Sequence, residues 1–423
     1  MAQSLHFSIS HSCTESNARV GRVETLHGGF DTPAFMPVGT RGTIKGLTPA
    51  QIHETGSQIV LNNAYHLMLR PGDDLIARRG GVQKFMGWDG PILTDSGGYQ
   101  AYSMSDINSI DESGVTFKSI IDGSMIHLSP ERSIEVQNNL GADIIMAFDD
   151  CPPSVEPETL NESRKRMGTK TGATTGDQHR DRLQTAHDRT ICWLERCVQA
   201  HGRPDEQALF GIVQGGPDLD LRKASVEAIC NIELPGYAIG GVAVGEGPEI
   251  IRQVVEFTAP LMPEAKPRYL MGVGYERDIV DAVRAGVDMF DCVLPTRNGR
   301  NANAFTKSGP KRLRNARYGE DDAPIEADCD CYACSKGFSR AYLRHLFMSK
   351  EMLGPILVSL HNIRHFQRLL LDIRRAIRED AWSFLFRTWP VLDAPAPRDD
   401  EAEIQDEVTP GSPGMGMTGK GRG

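Results

Sequence analysis

No apolar run in this sequence approaches the roughly 20 residues that a membrane-spanning helix needs, so no membrane span is expected. The N-terminus, MAQSLHFSISHSC, lacks a basic region followed by a long apolar stretch, so no signal peptide is expected either. No GxGxxG turn opens the first strand–helix unit, which counts against an open, doubly wound, dinucleotide-binding sheet. Positive charge is also in deficit. A net charge of −10 argues against indiscriminate binding of nucleic acid but leaves room for a local basic patch. A disulfide framework is not suggested: the nine cysteines are an odd count, three of them crowded together. That usage points to a reducing cytoplasm and a metal site.

What is present is a repeated alternation of short apolar segments with segments of helical spacing. A chain of 423 residues can bury a large core, and single α/β barrels reach this size. The apolar segments are Thr32–Thr40, Gln58–Asn63, Pro91–Gly97, Ala142–Asp150, Ala208–Gly216, Tyr237–Glu246, Arg268–Gly274 and Asp288–Pro295. Near-continuous apolar runs of this length fit parallel strands buried on both faces. Helices are expected after Thr48-Pro49 and Ser129-Pro130, each a cap followed by proline in the first turn, and over Thr190–Ala200, Leu219–Ile232, Pro248–Leu261 and Arg277–Gly286. Eight such alternations predict an α/β fold, a (β/α)8 TIM barrel.

Additions interrupt the barrel. Val115–Ser129 reads as a hairpin turning at Asp122-Gly123. Pro153–Leu183 is long and polar and reads as a mobile loop. Late helices are expected over Ser339–Ser349 and from about Ile356 to Ala381, broken apart at Gly354-Pro355. The barrel unit is taken as 1–390, with a zinc-binding subdomain over 307–362. The acidic tail rich in proline and glycine, 393–423, is expected to be disordered.

Three constellations carry chemistry. The first is Asp291, set among Met289, Phe290, Val293 and Leu294 at the end of the eighth segment. An acid there, followed by cationic residues, suits a nucleophile beside a phosphate-binding surface. The cationic stretch holds seven Lys or Arg between Arg297 and Arg317 and no acid, a surface for a polyphosphate partner. The second is the set of polar residues at the other segment ends: Asn63, Asp95, Asp149, Gln214, Gly240-Gly241, Glu246 and Met271. Asp149, Gln214 and the Gly241 backbone suit a purine: the acid takes N1–H and 2-amino protons, while the amide and peptide N–H meet O6. Tyr99 and Met271 suit stacking on a flat ring. Asp95 and Asp291 together provide a proton-transfer group and a nucleophile, as in retaining glycosyl transfer. The third is Cys329, Cys331 and Cys334 followed by His361, a ligand set for a closed, structural Zn2+ site; His345 and His365 are rival fourth ligands.

These residues sit in segments that resemble the tRNA-guanine transglycosylases: FMPVGT, HLMLRPG, TDSGGYQ, SPERSIEVQNNLGADIIMAFDDC, FGIVQGG, GYAIGGVAVGE, PRYLMGVG, DMFDCVLPTRNGRN and CDCYAC…HN. The resemblance runs from about Arg22 to Ile377. It implies a cytoplasmic, homodimeric pentosyltransferase of queuosine biosynthesis that replaces the wobble guanine of GUN-anticodon tRNAs with a 7-deazaguanine. By resemblance, Asp291 is the nucleophile that forms a covalent bond to the ribose and Asp95 the proton acceptor. Asp149, Gln214, Gly241, Tyr99 and Met271 hold the base, Arg297 and Arg300 contact tRNA, and Cys329, Cys331, Cys334 and His361 bind zinc. Cys151 and Val242-Ala-Val-Gly-Glu246 are similar to the bacterial type, which inserts 7-aminomethyl-7-deazaguanine (preQ1). Asp150 and Tyr275 occur in eukaryotic-type sequences instead, which insert queuine. Competing readings are queuine as incoming base, a non-catalytic tRNA-binding partner, and a glycoside hydrolase on the same barrel.

Overall fold

The computed structural model describes residues 4–103, 108–154 and 176–393. Eight parallel strands form its centre: β1 (Ala34–Pro37), β2 (Val60–Asn62), β3 (Ile92–Thr94), β4 (Ile144–Met146), β5 (Ala208–Val213), β6 (Gly236–Ile239), β7 (Arg268–Leu270) and β8 (Met289–Cys292). Each lies inside one of the eight apolar segments. They pair in the order β1-β8-β7-β6-β5-β4-β3-β2. A parallel bridge between Val38 and Leu61, with the Gly39 N–H donating to the Leu61 carbonyl at 2.6 Å, joins the two remaining edges. The sheet therefore closes into a (β/α)8 barrel.

Successive strand residues face opposite ways. Met36, Leu93, Ile144, Met146, Phe210, Ile212 and Met289 fill the interior, while neighbours such as Phe35, Ile145, Leu270 and Phe290 join the core beneath the outer helices. A three-stranded antiparallel sheet (His6–Ser12, Arg19–Thr25 and Gly28–Thr32) precedes β1 and was not anticipated from sequence. Its Val23 and Phe30 are fully buried and belong to the interior cluster, so it plugs the end of the barrel where the strands begin. Only one face of this sheet is buried, and its first strand, HFSISHS, alternates weakly between half-buried and exposed.

The capped helices form where their caps predict. The Thr48 hydroxyl accepts from the Gln51 N–H in a full capping box, and Ser129 accepts from the Arg132 N–H. Two expectations need correction. The helix read as Thr190–Ala200 spans Gly176–Ala200, so the end of the supposed loop Pro153–Leu183 is helical. Its first turns lack an apolar period but are held by Leu183, buried against the barrel, and by Arg182, which reaches Asp150. Residues 155–175 lie outside the described residues. Gly354-Pro355 does not break a helix but sits in the first turn of Leu353–Arg378. A proline there removes an N–H that would have no intrahelical partner.

The hairpin forms as strands Gly114–Lys118 and Met125–Leu128, with an added outer strand Asn108–Asp111. After β8 comes a separate core built on Leu313, Ile325, Leu343, Phe347 and Leu357 around the three crowded cysteines. Helix Leu353–Arg378 joins this core to the barrel: Leu357 and Val358 belong to the small cluster, while Leu360 and Ile363 belong to the large one. The described chain ends at Asp393, so the tail expected to be disordered lies outside the described residues apart from that residue. No helix among the described residues is long and apolar enough to cross a membrane.

Candidate active site and metal centre

Every polar group picked out from the segment ends sits at the C-terminal rim of the barrel, where the fold exposes side chains from several strands to one space. Asp291 occupies the third position of β8 and is half-buried. The Tyr269 hydroxyl, from β7, donates to its Oδ1 at 2.6 Å, and the Gly272 N–H donates to the same oxygen at 2.8 Å. Burial raises the Asp291 pKa, and these two donors oppose the rise. Asp95 directly follows β3. The Ala64 N–H donates to its Oδ1 at 2.9 Å, and the Asn63 amide donates to Oδ2. Burial, with the charge of Asp291 adding to it, pushes Asp95 up to about 7, against the pull of those two donors. A carboxyl poised near neutrality can take up and release a proton at working pH.

Asp149, beyond β4, is buried and accepts a 2.5 Å hydrogen bond from the Gln214 amide, which follows β5. Burial pushes Asp149 up to about 7, with the neighbouring Asp150 charge adding to the effect. Asp150 is held by Arg182 and Arg189 from helix Gly176–Ala200. Gly241 lies two residues beyond β6 with φ +61, and a Cβ there would fall 2.2 Å from the Gln214 Oε1. Only glycine lets the backbone come this close to the amide. Beside them is Cys151, whose thiol burial pushes up to about 12, so it stays neutral.

Tyr99, on the short helix Gly98–Ser103, is exposed, and Met271, one residue past β7, is half-buried at the edge of the interior cluster. Arg297 and Arg300 stand on a helix, Leu294–Arg300. Pro295 sits in its first turn, where it costs no hydrogen bond. Arg297 is exposed and Arg300 half-buried. Part of the basic run is already engaged: Lys307 pairs with Asp328 at 2.7 Å, and Arg317 packs on Tyr318 with its guanidinium 4.8 Å from the ring.

Sequence reasoning passed over two residues here. Tyr269 reads as one more apolar strand residue. Arg222 reads as one charge among several in a helix, although a lone cation between Leu221 and Ser225 on the buried face was a usable signal.

Among the described residues, one group of side chains can hold a metal ion: Cys329, Cys331, Cys334 and His361, all buried, with ligand atoms within 4.8 Å of one another. The His361 Nδ1 lies 3.6, 3.4 and 3.5 Å from the three sulfurs. Tetrahedral Zn–S and Zn–N bond lengths require an N···S edge of about 3.6 Å. The His361 Nε2 lies 2.7 Å from the Phe305 carbonyl, which fixes the tautomer that leaves Nδ1 free to ligate. The rivals are excluded by position: His365 pairs with Glu276 at 2.8 Å, and His345 stacks on Tyr342.

The chain matches the family model described as queuine tRNA-ribosyltransferase over residues 13–389. A queuine tRNA-ribosyltransferase of Synechococcus elongatus is 49% identical over 383 residues, covering 90% of this chain and 94% of the relative. One from a Nostoc species is 51% identical, covering 89% and 94%, and one from Lysinibacillus sphaericus is 48% identical, covering 89% and 93%. Identity near one half, sustained over nearly the full length of both partners, makes this chain a member of the queuine tRNA-ribosyltransferase family.

Proposed function

We propose that this chain is a tRNA-guanine transglycosylase that replaces the wobble guanine of GUN-anticodon tRNAs with preQ1 by double displacement. Family membership supports the pentosyl transfer to tRNA. The observation that carries the mechanism is the asymmetry at Asp291: both donors, Tyr269 and Gly272, fall on Oδ1. Oδ2 is then the oxygen that attacks C1′ of the ribose as the bond to N9 of guanine breaks. The protonated Asp95 carboxyl gives its proton to N9 as guanine leaves, and the sugar is held as an ester. Asp95 takes the N9 proton of the incoming base, whose nitrogen attacks C1′ and releases Asp291. Two inversions give net retention.

Asp149, Gln214 and the Gly241 N–H hold the base edge, with Tyr99 and Met271 on its faces. Arg297 and Arg300, on the helix that β8 runs into, meet phosphates. Cys151 and the Val242–Glu246 turn are similar to the bacterial type, which supports preQ1 rather than the bulkier queuine as the incoming base. The metal is Zn2+; with four protein ligands it has no open position for substrate, so it holds the 307–362 subdomain together. The exposed rings of Tyr332 and Tyr342, the latter stacked on Phe338 and His345, support a homodimer formed through this subdomain. The reducing cytoplasm, where tRNA is modified, suits its nine free cysteines.

The purified chain should incorporate labelled guanine into unmodified tRNA bearing a GUN anticodon and lose that ability when the wobble G is changed. In competition, preQ1 should displace guanine with a kcat/KM roughly 100-fold above that of queuine. A preference for queuine would overturn the choice of base and leave the chemistry standing. Absence of guanine exchange would leave only a non-catalytic tRNA-binding role.

A further inference from the structure

Arg222 stands in the first turns of helix Leu219–Cys230 and is fully buried. Its Nε donates to the Gly216 carbonyl at 2.8 Å, and its Nη1 to those of Val213 at 3.1 Å and Gly240 at 2.7 Å. Its Nη2 donates to the Gly241 carbonyl at 2.9 Å, which also accepts from the Ser154 hydroxyl at 2.8 Å. None of these partners carries a charge. A guanidinium kept from water for structural support alone could be replaced by an apolar side chain, since burying it has a large desolvation cost.

The peptide geometry shows what it does. A trans peptide holds its C=O and N–H on opposite sides of one plane. The Gly240 carbonyl and the Gly241 N–H belong to the same peptide. Pinning that carbonyl on Nη1 forces the Gly241 N–H to point away from Arg222, toward the rim. The same guanidinium grips the Val213 carbonyl, in the peptide that contains the Gln214 N–H. Ser225, one helical turn on, accepts from that N–H at 3.0 Å. The Gln214 amide and the Gly241 peptide consequently lie side by side, a Cβ on Gly241 falling 2.2 Å from the Gln214 Oε1.

We propose that Arg222 is a positioning residue that aims the Gly241 N–H and the Gln214 amide at the exocyclic O6 of the bound base. Selectivity for a 6-oxopurine then depends on a cation that never touches the base. This rests on the base-exchange reading above.

The test compares guanine with 2-aminopurine, which lacks O6, in the full-length enzyme and in R222M and R222K. Guanine is measured by its KM and kcat for exchange, and 2-aminopurine by its inhibition constant. A site that loses an aimed donor to a buried acceptor is expected to raise the guanine KM about 10- to 50-fold in R222M, with kcat within about 3-fold and 2-aminopurine binding within about 2-fold. R222K, which keeps one charged donor, should recover part of the guanine affinity. Equal weakening of both purines, or an unchanged guanine KM, would overturn the proposal. If R222M does not fold, the guanine to 2-aminopurine ratio in R222K decides by the same criterion. A wild-type enzyme that exchanges no guanine would defeat the underlying reaction instead, so the two failures are distinguishable.

Discussion

The Tyr269 hydroxyl and the Asp291 carboxylate, on adjacent strands, meet at 2.6 Å where the barrel interior opens on to the rim. Tyr269 is a core residue by burial and a site residue by its one polar atom. Its phenol is held protonated by burial and by the charge of Asp291, so it donates at all working pH values. That bond opposes the rise that burial imposes on the Asp291 pKa. Removing it in Tyr269→Phe leaves the core packed and lets the Asp291 pKa rise further. The acid limb of the kcat/KM profile should move to higher pH, and kcat/KM at neutral pH should fall on the order of 10-fold. A pH–rate profile superimposable on that of the parent would show that Tyr269 does not tune the nucleophile.

On the proposed reading, Asp149 links base recognition to stability. Its pKa is pushed by burial from 3.8 to about 7 in the fold. Between those values the folded chain keeps a proton that the unfolded chain has released. Stability contributed by the protonated form is full below the unfolded pKa and is lost as pH rises through the folded one. Asp149→Asn, which stays neutral, should therefore resist urea better than the parent above pH 7, by on the order of 1 kcal/mol or more. The advantage should vanish below the unfolded pKa. The same variant should lose roughly 100-fold in kcat/KM for guanine, because the amide cannot accept two protons from the base edge. Urea titrations at acid and neutral pH that show no such crossover would mean that Asp149 is ionised in the fold.

Removing the metal should affect folding before chemistry. Cys331→Ser takes away one sulfur of the tetrahedral set and leaves the small core around Leu313, Ile325 and Leu343 without its centre. On the proposed reading of the site as a zinc centre, we expect less than one zinc per chain by metal analysis and a melting midpoint lower on the order of 10 °C, with early proteolysis after Lys307. Retention of one zinc per chain would reassign the ligands.

The barrel was legible because its strands are buried on both faces and so read as uninterrupted apolar runs such as ALFGIV. The sheet that plugs its floor was not, because only one face of it is covered. The crowded cysteines identify themselves by spacing. The fourth ligand did not: spacing alone does not choose among His345, His361 and His365 until the fold puts His361 against the sulfurs and His365 against Glu276. Asp95, Asp149, Gln214, Gly241 and Asp291 could be read as strand ends, since polar residues closing apolar runs are conspicuous. Tyr269 and Arg222 act through buried contacts from other elements, Tyr269 on a side chain and Arg222 on backbone carbonyls, which a linear sequence does not display.

The covalent step is the claim on which the mechanism rests. Wild-type enzyme incubated with unmodified GUN-anticodon tRNA and quenched in denaturant should yield a protein–tRNA adduct that resists separation. The adduct should be discharged by adding the incoming base before the quench. Asp291→Ala should yield none, while still binding tRNA and retaining zinc. An adduct of undiminished yield in Asp291→Ala would place the bond on another residue and contradict the assignment.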